Sequence, residues 1–318
     1  VEQGSMGLRV VFFGNSQSIF SNRHFQALTE TSAEVVGVVD TPPAKRATTN
    51  PPSAGYPPFV EVARRHGIPV FEPHNPNGPD FVAAVGGLSP DLFIAVGYAS
   101  ILKESILTVP RILPANFHAS LLPAYRGMHP VFWALRAGER WAGLTVHVMD
   151  SGIDTGDIIY QVHVRTRRDD TVQMLYDRII GRSLPLLGRL VADAGKGAIP
   201  RRPQPPGGRS YYSKVTDDQF RIDWSWDAER IRRWIASTPG QCFCEVGSQR
   251  VYLEGAERAP ASAGAAPGHL VGIGRVWCTV AAGRDAVRVR RVRPEKGELR
   301  SMAQFCHESG LKPGDLLA

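Results

Sequence analysis

Short apolar runs separated by polar, helix-spaced stretches fill the first two-thirds of the chain. Leu8–Gly14, Ala33–Val39 and Asp91–Val96 are nearly continuous apolar segments, the pattern of strands covered on both faces. Ile68–Phe71 is a shorter run of the same kind, and helices are predicted over Asn22–Thr31 and Phe59–His66. Strands that alternate with helices predict a parallel, doubly wound sheet. Further on, Ile112–Phe117, Gly143–Met149 and Ile158–Val164 read as strands, and Val131–Ala137 as a helix. Apolar residues at helical spacing predict one long helix over Thr171–Ala194, with Asp169 and Asp170 favouring its N-terminus. Thr41–Pro58 holds six prolines (Pro42, Pro43, Pro51, Pro52, Pro57, Pro58) and is predicted to be a loop. A loop of that length in a compact domain is usually functional or mobile.

The stretch Gly195–Arg209, rich in Pro, Gly and Arg, reads as a linker. Beyond it the texture changes. An amphipathic helix over Asp227–Ser237, with Ile231, Trp234 and Ile235 inward, precedes strand-like runs at Arg250–Leu253, Gly268–Ile273, Val276–Ala281 and Ala286–Val292. Several short strands at close spacing predict a small β-barrel. The expected fold is α/β: an N-terminal Rossmann-like parallel-sheet domain over residues 6–195, a linker over 196–210, and a small C-terminal OB-like β-barrel domain over 211–318. No G-x-G-x-x-G follows the first strand, which disfavours a dinucleotide site of that kind.

The chemistry concentrates at the end of one strand and in one loop. Asn116 and His118 are separated by a single residue, so alternation puts both side chains on the same face. Pro123 and Gly127 then end the strand and open a turn, at the sheet edge where open α/β folds bind ligands. Some thirty residues later, Asp150-Ser-Gly-Ile-Asp-Thr-Gly-Asp157 delivers Asp154 in a loop bracketed by glycines. An amide, an imidazole and a carboxylate from two strand ends can form an acid–base constellation.

These residues resemble the signature of formyltransferases that use 10-formyltetrahydrofolate: Asn116-x-His118-x-Ser120-Leu-Leu-Pro-x-x-Arg126-Gly127, with Gly152-Ile-Asp154-Thr-Gly-Asp157 downstream. That family includes methionyl-tRNA formyltransferase, the sugar-nucleotide N-formyltransferases and the hydrolase domain of formyltetrahydrofolate dehydrogenase. The likeness spans essentially the whole chain, because Met302-Ala-Gln-Phe305 and Leu311-Lys-Pro-Gly-Asp315 resemble the close of full-length methionyl-tRNA formyltransferases.

The resemblance implies that His118 carries the proton, since imidazole is the side chain that titrates nearest neutrality. It implies that Asp154 orients this ring and favours its cation, and that Asn116 donates to the oxyanion. The hydrolase domain lacks Asn at the position of Asn116, so transfer to an amine is expected rather than hydrolysis. Ser120, Leu121, Leu122 and Pro123 fall in the family's folate-binding stretch. Gly97, Tyr98 and Ala99, with Asp150, Ser151, Gly152 and Ile153, match loops that line the pterin. Arg126 either binds an anion or braces the loop, and Asp157 fixes a turn. The implied donor is 10-formyltetrahydrofolate, with no metal.

Departures from the family pattern bear on the acceptor. Typical methionyl-tRNA formyltransferases read Arg-Gly-Ala-Ala-Pro where this chain has Arg126-Gly-Met-His-Pro130, followed by Trp133. His129 and Trp133 are therefore candidates to contact the acceptor, with a capped or packed side chain as the alternative reading. Gly14-Asn-Ser-Gln replaces Gly-Thr-Pro, and Ser237-Thr-Pro-Gly240 replaces Asn-Pro-Trp-Pro. The loop that carries several basic residues in those enzymes keeps only Lys45 and Arg46. These differences point to a small-molecule amine, such as an amino sugar nucleotide or an amino-acid-derived intermediate. Initiator Met-tRNA stands as the alternative acceptor, supported by Arg288, Arg290, Arg291 and Arg293 and by Arg201 and Arg202. A hydrolase or an inactive binding homologue is the remaining alternative.

Composition adds little. A net charge of +7 suits folyl-polyglutamate, a nucleotide or tRNA without choosing among them. No apolar run approaches the roughly 20 residues of a membrane span, so no membrane partner is expected. Val1–Ser5 ahead of Met6 reads as an expression remnant, without the apolar segment of a signal peptide. Cys242, Cys244, Cys278 and Cys306 are expected as free thiols in a reducing cytoplasm, because Cys242-x-Cys244 has no second ligand pair.

Overall fold

The structure is a computed structural model that describes residues 7–45, 55–260 and 264–318. Two compact units account for them. The first takes the described residues up to 131, with Trp141–Arg165 and Tyr176–Ser213; the second takes Phe132–Arg140, Thr166–Leu175 and Lys214–Ala318. The units are not contiguous in sequence: two short internal segments group with the C-terminal third, while residues 196–213 group with the first unit.

In chain order the first unit begins β1 (Arg9–Gly14), α1 (Ile19–Thr29), β2 (Glu34–Asp40), α2 (Phe59–Arg65) and β3 (Val70–Phe71). There follow α3 (Pro79–Gly86), β4 (Leu92–Val96), α4 (Glu104–Leu107), β5 (Leu113–His118) and β6 (Arg126–Gly127). After α5 (Pro130–Ala137), most of which groups with the second unit, come β7 (Trp141–Val148), β8 (Ile158–Arg165), α6 (Val172–Ser183), α7 (Pro185–Gly195) and β9 (Tyr211–Tyr212). The sheet order is β3-β2-β1-β4-β5-β7-β8. Strands β1 to β5 pair in parallel, as their run-helix-run pattern demands, whereas β7 lies antiparallel to both β5 and β8. The link between β7 and β8 is a loop with no helix, and only antiparallel strands can be joined that way.

Several local expectations need adjusting. Helix α1 starts at Ile19, three residues early, directly after the polar turn of residues 15–18. The long helix expected over Thr171–Ala194 is two, because Pro185 cannot continue the hydrogen-bond ladder and opens α7. Thr171 caps α6, its hydroxyl accepting from the Met174 N–H at 3.1 Å. Asp170 instead takes the Arg167 N–H at 2.7 Å. The short helices α3 and α4 carried too few periodic apolar positions to be read from sequence.

The core of this unit packs Phe12 edge-on against Phe25 and Phe59, each at a ring separation of 5.2 Å. His24 is fully buried beside them. Its Nδ1 lies 2.7 Å from the Phe20 carbonyl oxygen and its Nε2 2.9 Å from Ser183 Oγ.

The second unit contains α8 (Ala228–Ser237), β10 (Phe243–Val246), β11 (Gln249–Ala259), β12 (Leu270–Ile273), β13 (Cys278–Ala281), β14 (Ala286–Pro294), β15 (Arg300–Ser301) and α9 (Met302–Glu308). Its strands form an antiparallel half-barrel sheet ordered β10-β11-β14-β13-β12, with β15 on β14. Asp227 caps α8 by accepting the Arg230 N–H at 3.0 Å. Ile231, Trp234 and Ile235 join Val287, Val289 and Val292 in the core. All four cysteines are free and buried there, and burial pushes the Cys242 and Cys244 thiols up to about 12. Among the described residues no helix is long and apolar enough to cross a membrane.

Burial lowers the His24 pKa to about 4, against its ordinary 6.5. Between those values the unfolded chain binds the extra proton, so stability falls as pH falls from 6.5 toward 4, by up to about 3 kcal/mol. Denaturant melts at pH 7, 5.5 and 4.5 should therefore lose less stability in a His24→Phe variant than in the parent; parallel losses would remove His24 as the cause.

Candidate active site

The constellation is built on two adjacent strand ends. Strands β5 and β7 pair so that Asn116 faces His147 and His118 faces Thr145. Residues two apart share a sheet face, so four polar side chains collect on one side of these two strands. His118, Thr145 and His147 are buried, and Asn116 is half-buried.

Asp154 reaches this face from the loop after β7. It adopts φ +53, in the left-handed region that Asp tolerates better than most side chains. Its Oδ1 accepts from Asn116 Nδ2 at 3.2 Å and lies 3.3 Å from His147 Nε2. Its Oδ2 accepts the Gly127 N–H at 2.8 Å and lies 3.6 Å from His118 Nδ1. Burial pushes the Asp154 carboxyl up. The charges of His118 and His147, the His147 hydrogen bond and the Gly127 N–H outweigh it, and together hold the group well below the usual carboxylate range. The side chain is therefore ionised in its buried place.

The two imidazoles have assignable tautomers. His118 Nε2 lies 2.8 Å from the Tyr125 carbonyl oxygen, which can only accept, so that nitrogen carries the proton. Nδ1, facing Asp154, is left to take another. His147 Nδ1 lies 2.8 Å from the Val148 carbonyl oxygen and is protonated for the same reason. Its Nε2 accepts from Asn116 Nδ2 at 3.1 Å while the ring is neutral, and donates to Asp154 Oδ1 at 3.3 Å when the ring is cationic. Both N–H bonds of Asn116 are thus engaged, one by Asp154 and one by His147.

Two glycines permit the close approach of these loops. A Cβ on Gly127, at φ +92, would fall 2.2 Å from the Tyr212 carbonyl oxygen. One on Gly156 would fall 2.0 Å from that of Val148. The strand-end loop is fixed by Thr145, whose hydroxyl donates to the Ser120 carbonyl at 2.7 Å and accepts the Leu122 N–H at 3.1 Å.

A cavity of about 690 Å³ opens onto the constellation within the first unit. Gly97, Tyr98, Ala99, Asp150, Gly152, Ile153, His129 and Lys45 line it together with Asn116, His118 and Asp154. Ser120, Leu121, Leu122, Pro123, Arg126 and Ser151 do not. Ser120 Oγ donates to the Ala124 carbonyl at 2.7 Å, and Arg126 donates to Gln204, so these side chains brace the loop. Trp133 lies in the second unit, packed at 5.2 Å against Phe132 and beneath Arg136. Arg46 falls outside the described residues. Burial pushes the Tyr98 phenol up, keeping it protonated.

Sequence reasoning missed His147, Tyr176, Tyr211 and the His74–Asn77 turn, all of which line the cavity. For His147 the signal was the apolar alternation of β7, which marks Thr145 and His147 as the polar members of one face.

The comparisons with known proteins follow this geometry. Residues 8–184 match the formyl transferase model, and residues 214–310 match the formyl transferase C-terminal domain. The methionyl-tRNA formyltransferase of Citrifermentans bemidjiense is 31% identical over 318 residues, covering 98% of this chain and 96% of the relative. That of Pseudomonas putida is 32% identical over 302 residues, covering 94% and 95%. The solved N-formyltransferase of Helicobacter canadensis, in complex with folinic acid and dTDP-3-aminofucose, superposes with a TM-score of 0.65 at 15% identity. That match spans 90% of this chain and 99% of the solved one, and at this identity it speaks for the fold alone. Agreement of this extent, running through both of its domains, makes the chain a member of the formyl transferase family.

Proposed function

We propose that the protein moves a formyl group from 10-formyltetrahydrofolate, a co-substrate, to the primary amine of a small molecule such as an amino sugar nucleotide or an amino-acid-derived intermediate. The observation that carries the reading is the buried, ionised Asp154 held against His118 Nδ1 at the floor of a cavity. The attacking amine nitrogen bonds to the formyl carbon, and the carbonyl pair moves onto oxygen. His118 Nδ1 takes the proton that the amine sheds, and Asp154 stabilises the imidazolium. When the oxyanion collapses, the bond to the folate nitrogen breaks and His118 returns its proton to that nitrogen. Asn116 can donate to the oxyanion only by releasing Asp154 or His147, so substrate entry must draw one N–H away.

The cavity volume lies within the roughly 300–1,000 Å³ of small-molecule sites. Main-chain groups of Gly97–Ala99 and Asp150–Ile153 suit the pterin, as the resemblance implies. The mouth favours a small acceptor. Ile101, Met128, Ile153 and Tyr211 are large exposed apolar residues around it, and Lys45 and Lys103 are the lysines among its described lining. A nucleic-acid strand is held by denser positive charge.

Methionyl-tRNA is the second reading, favoured by the named relatives and by the half-barrel strand β14. Arg290 and Arg291 are exposed on that strand, although Arg291 pairs with Glu254 at 3.5 Å and Arg288 and Arg293 lie over Trp277 and Tyr252.

Purified protein offered 10-formyltetrahydrofolate with either charged initiator Met-tRNA or a panel of amino sugar nucleotides and amino acids decides between them. Tetrahydrofolate release matched by a formylated small amine supports the first reading. Fast, salt-sensitive formylation of Met-tRNA overturns it, and formate release without acceptor at an equal rate would make the protein a hydrolase. With a working acceptor, His118→Ala is expected to lower turnover by at least about 100-fold while folate affinity, read by calorimetry, changes little; near-normal turnover would sink the mechanism.

A further inference from the structure

Residues 196–210, expected to be a free linker, run instead along both catalytic loops. Arg202 exchanges main-chain hydrogen bonds with Ile158 at 2.8 and 2.9 Å. Strand β9 pairs in parallel with β6, where Arg126 and Met128 donate their N–H groups to Ser210 and Tyr212, each at 2.9 Å. The Tyr125 N–H donates to Ser210 Oγ at 2.8 Å. Between these two anchors stands Gln204, half-buried. Its Nε2 donates to the carbonyl oxygens of Asp154 at 2.8 Å and Gly156 at 2.9 Å. Its Oε1 accepts from Arg126 Nε at 3.2 Å and Nη2 at 2.6 Å.

The orientation of this amide is unambiguous. A guanidinium only donates and carbonyl oxygens only accept, so the nitrogen must face the Asp154 loop and the oxygen must face Arg126. Both N–H bonds and both oxygen lone pairs are then used. What the amide ties together is specific. One end grips the main chain of Asp154 itself, where φ is +53. The other end grips Arg126, whose two chain neighbours supply the Tyr125 carbonyl for His118 Nε2 and the Gly127 N–H for Asp154 Oδ2.

We propose that Gln204 is a positioning residue for formyl transfer, locking the Asp154 loop to the Tyr125–Gly127 loop so that the carboxylate meets His118. The claim rests on the catalytic reading above only where it concerns turnover. A carboxylate displaced by about 1 Å loses its hydrogen bond to the Gly127 amide and weakens its ion pairing with the His118 imidazole.

The test compares Gln204→Met and Gln204→Glu with the parent by amide hydrogen exchange, resolved residue by residue by NMR on the full chain without added ligand. Gln204→Glu retains the Arg126 pairing and guards against a misfolded Gln204→Met. The Gly127 amide, whose acceptor is Asp154, is expected to exchange about tenfold faster in both variants. The flanking Arg126 and Met128 amides, whose acceptors lie in β9 and its approach, should stay within about twofold. In an Asp154→Ala background the Gly127 amide is already fast, and Gln204→Met should add nothing. Unchanged exchange at Gly127 overturns the proposal. So does equal acceleration of all three amides, the signature of a merely structural strap.

With an acceptor identified as described above, kcat should fall about tenfold with the KM for the folate unchanged, and no further loss should occur on Asp154→Ala. A response in exchange without loss of turnover would leave the positioning intact and overturn the catalytic role of Asp154, so the two failures are distinguishable.

Discussion

A carboxylate kept ionised away from water is the costliest feature of the first unit, and its surroundings are arranged to offset that cost. An unpaired buried charge is disfavoured by several kcal/mol at least, so Asp154 persists as an anion only because donors and imidazoles surround it. Those partners come from three places in the chain: the end of β5, the end of β7 and the turn at Gly127. Each must be placed within hydrogen-bonding or ion-pairing distance, and this requirement explains much of the local architecture. It accounts for a glycine where the turn passes under Tyr212. It accounts equally for main-chain acceptors on the far edges of both imidazoles.

The mixed sheet serves the same end. A wholly parallel sheet would present its strand ends to the cavity in sequence, with helices between them. Reversing β7 sets His147 directly across from Asn116 instead. The amide is then held between a carboxylate and an imidazole before any substrate arrives. Asn116 is consequently occupied, and an oxyanion formed here, as proposed above, would have to compete for its N–H. Such competition makes the site sensitive to the shape of what enters, since only a correctly placed oxyanion gains enough to displace a formed hydrogen bond.

Much of this was legible in the chain. The apolar runs located the central strands because burial on both faces leaves no polar alternation. Asn116 and His118 were found through their spacing, and Asp154 through the glycines around it. The C-terminal sheet was expected from strand spacing as a small barrel, and α8 from the apolar spacing of Ile231, Trp234 and Ile235. What escaped depended on pairing or on distance along the chain. His147 gains meaning only from the antiparallel register. Gln204, among prolines and glycines, looked like linker because composition reports flexibility and not what a segment lies against. Ser120 to Pro123 and Arg126 matched a folate motif yet are not among the cavity lining, and the Ser120 and Arg126 side chains bond within the loops. Trp133 was adjacent in sequence and belongs to another unit. Pro185 was visible throughout, and helical periodicity on either side of it masked the break.

The strap of residues 202–212 also sets an order of events during synthesis. Gln204 follows Asp154 by 50 residues, so the ribosome delivers Asn116, His118, His147 and Asp154 well before the segment that hydrogen-bonds to their loops. The seven strands of the sheet can associate on the emerging chain while both loops still lack their outer partners. A nascent chain that has reached only the end of α7 therefore carries Asn116, His118, His147 and Asp154 without the hydrogen bonds that residues 202–212 add to their loops. That outer frame is complete only when the downstream sequence has folded back onto what was made before it.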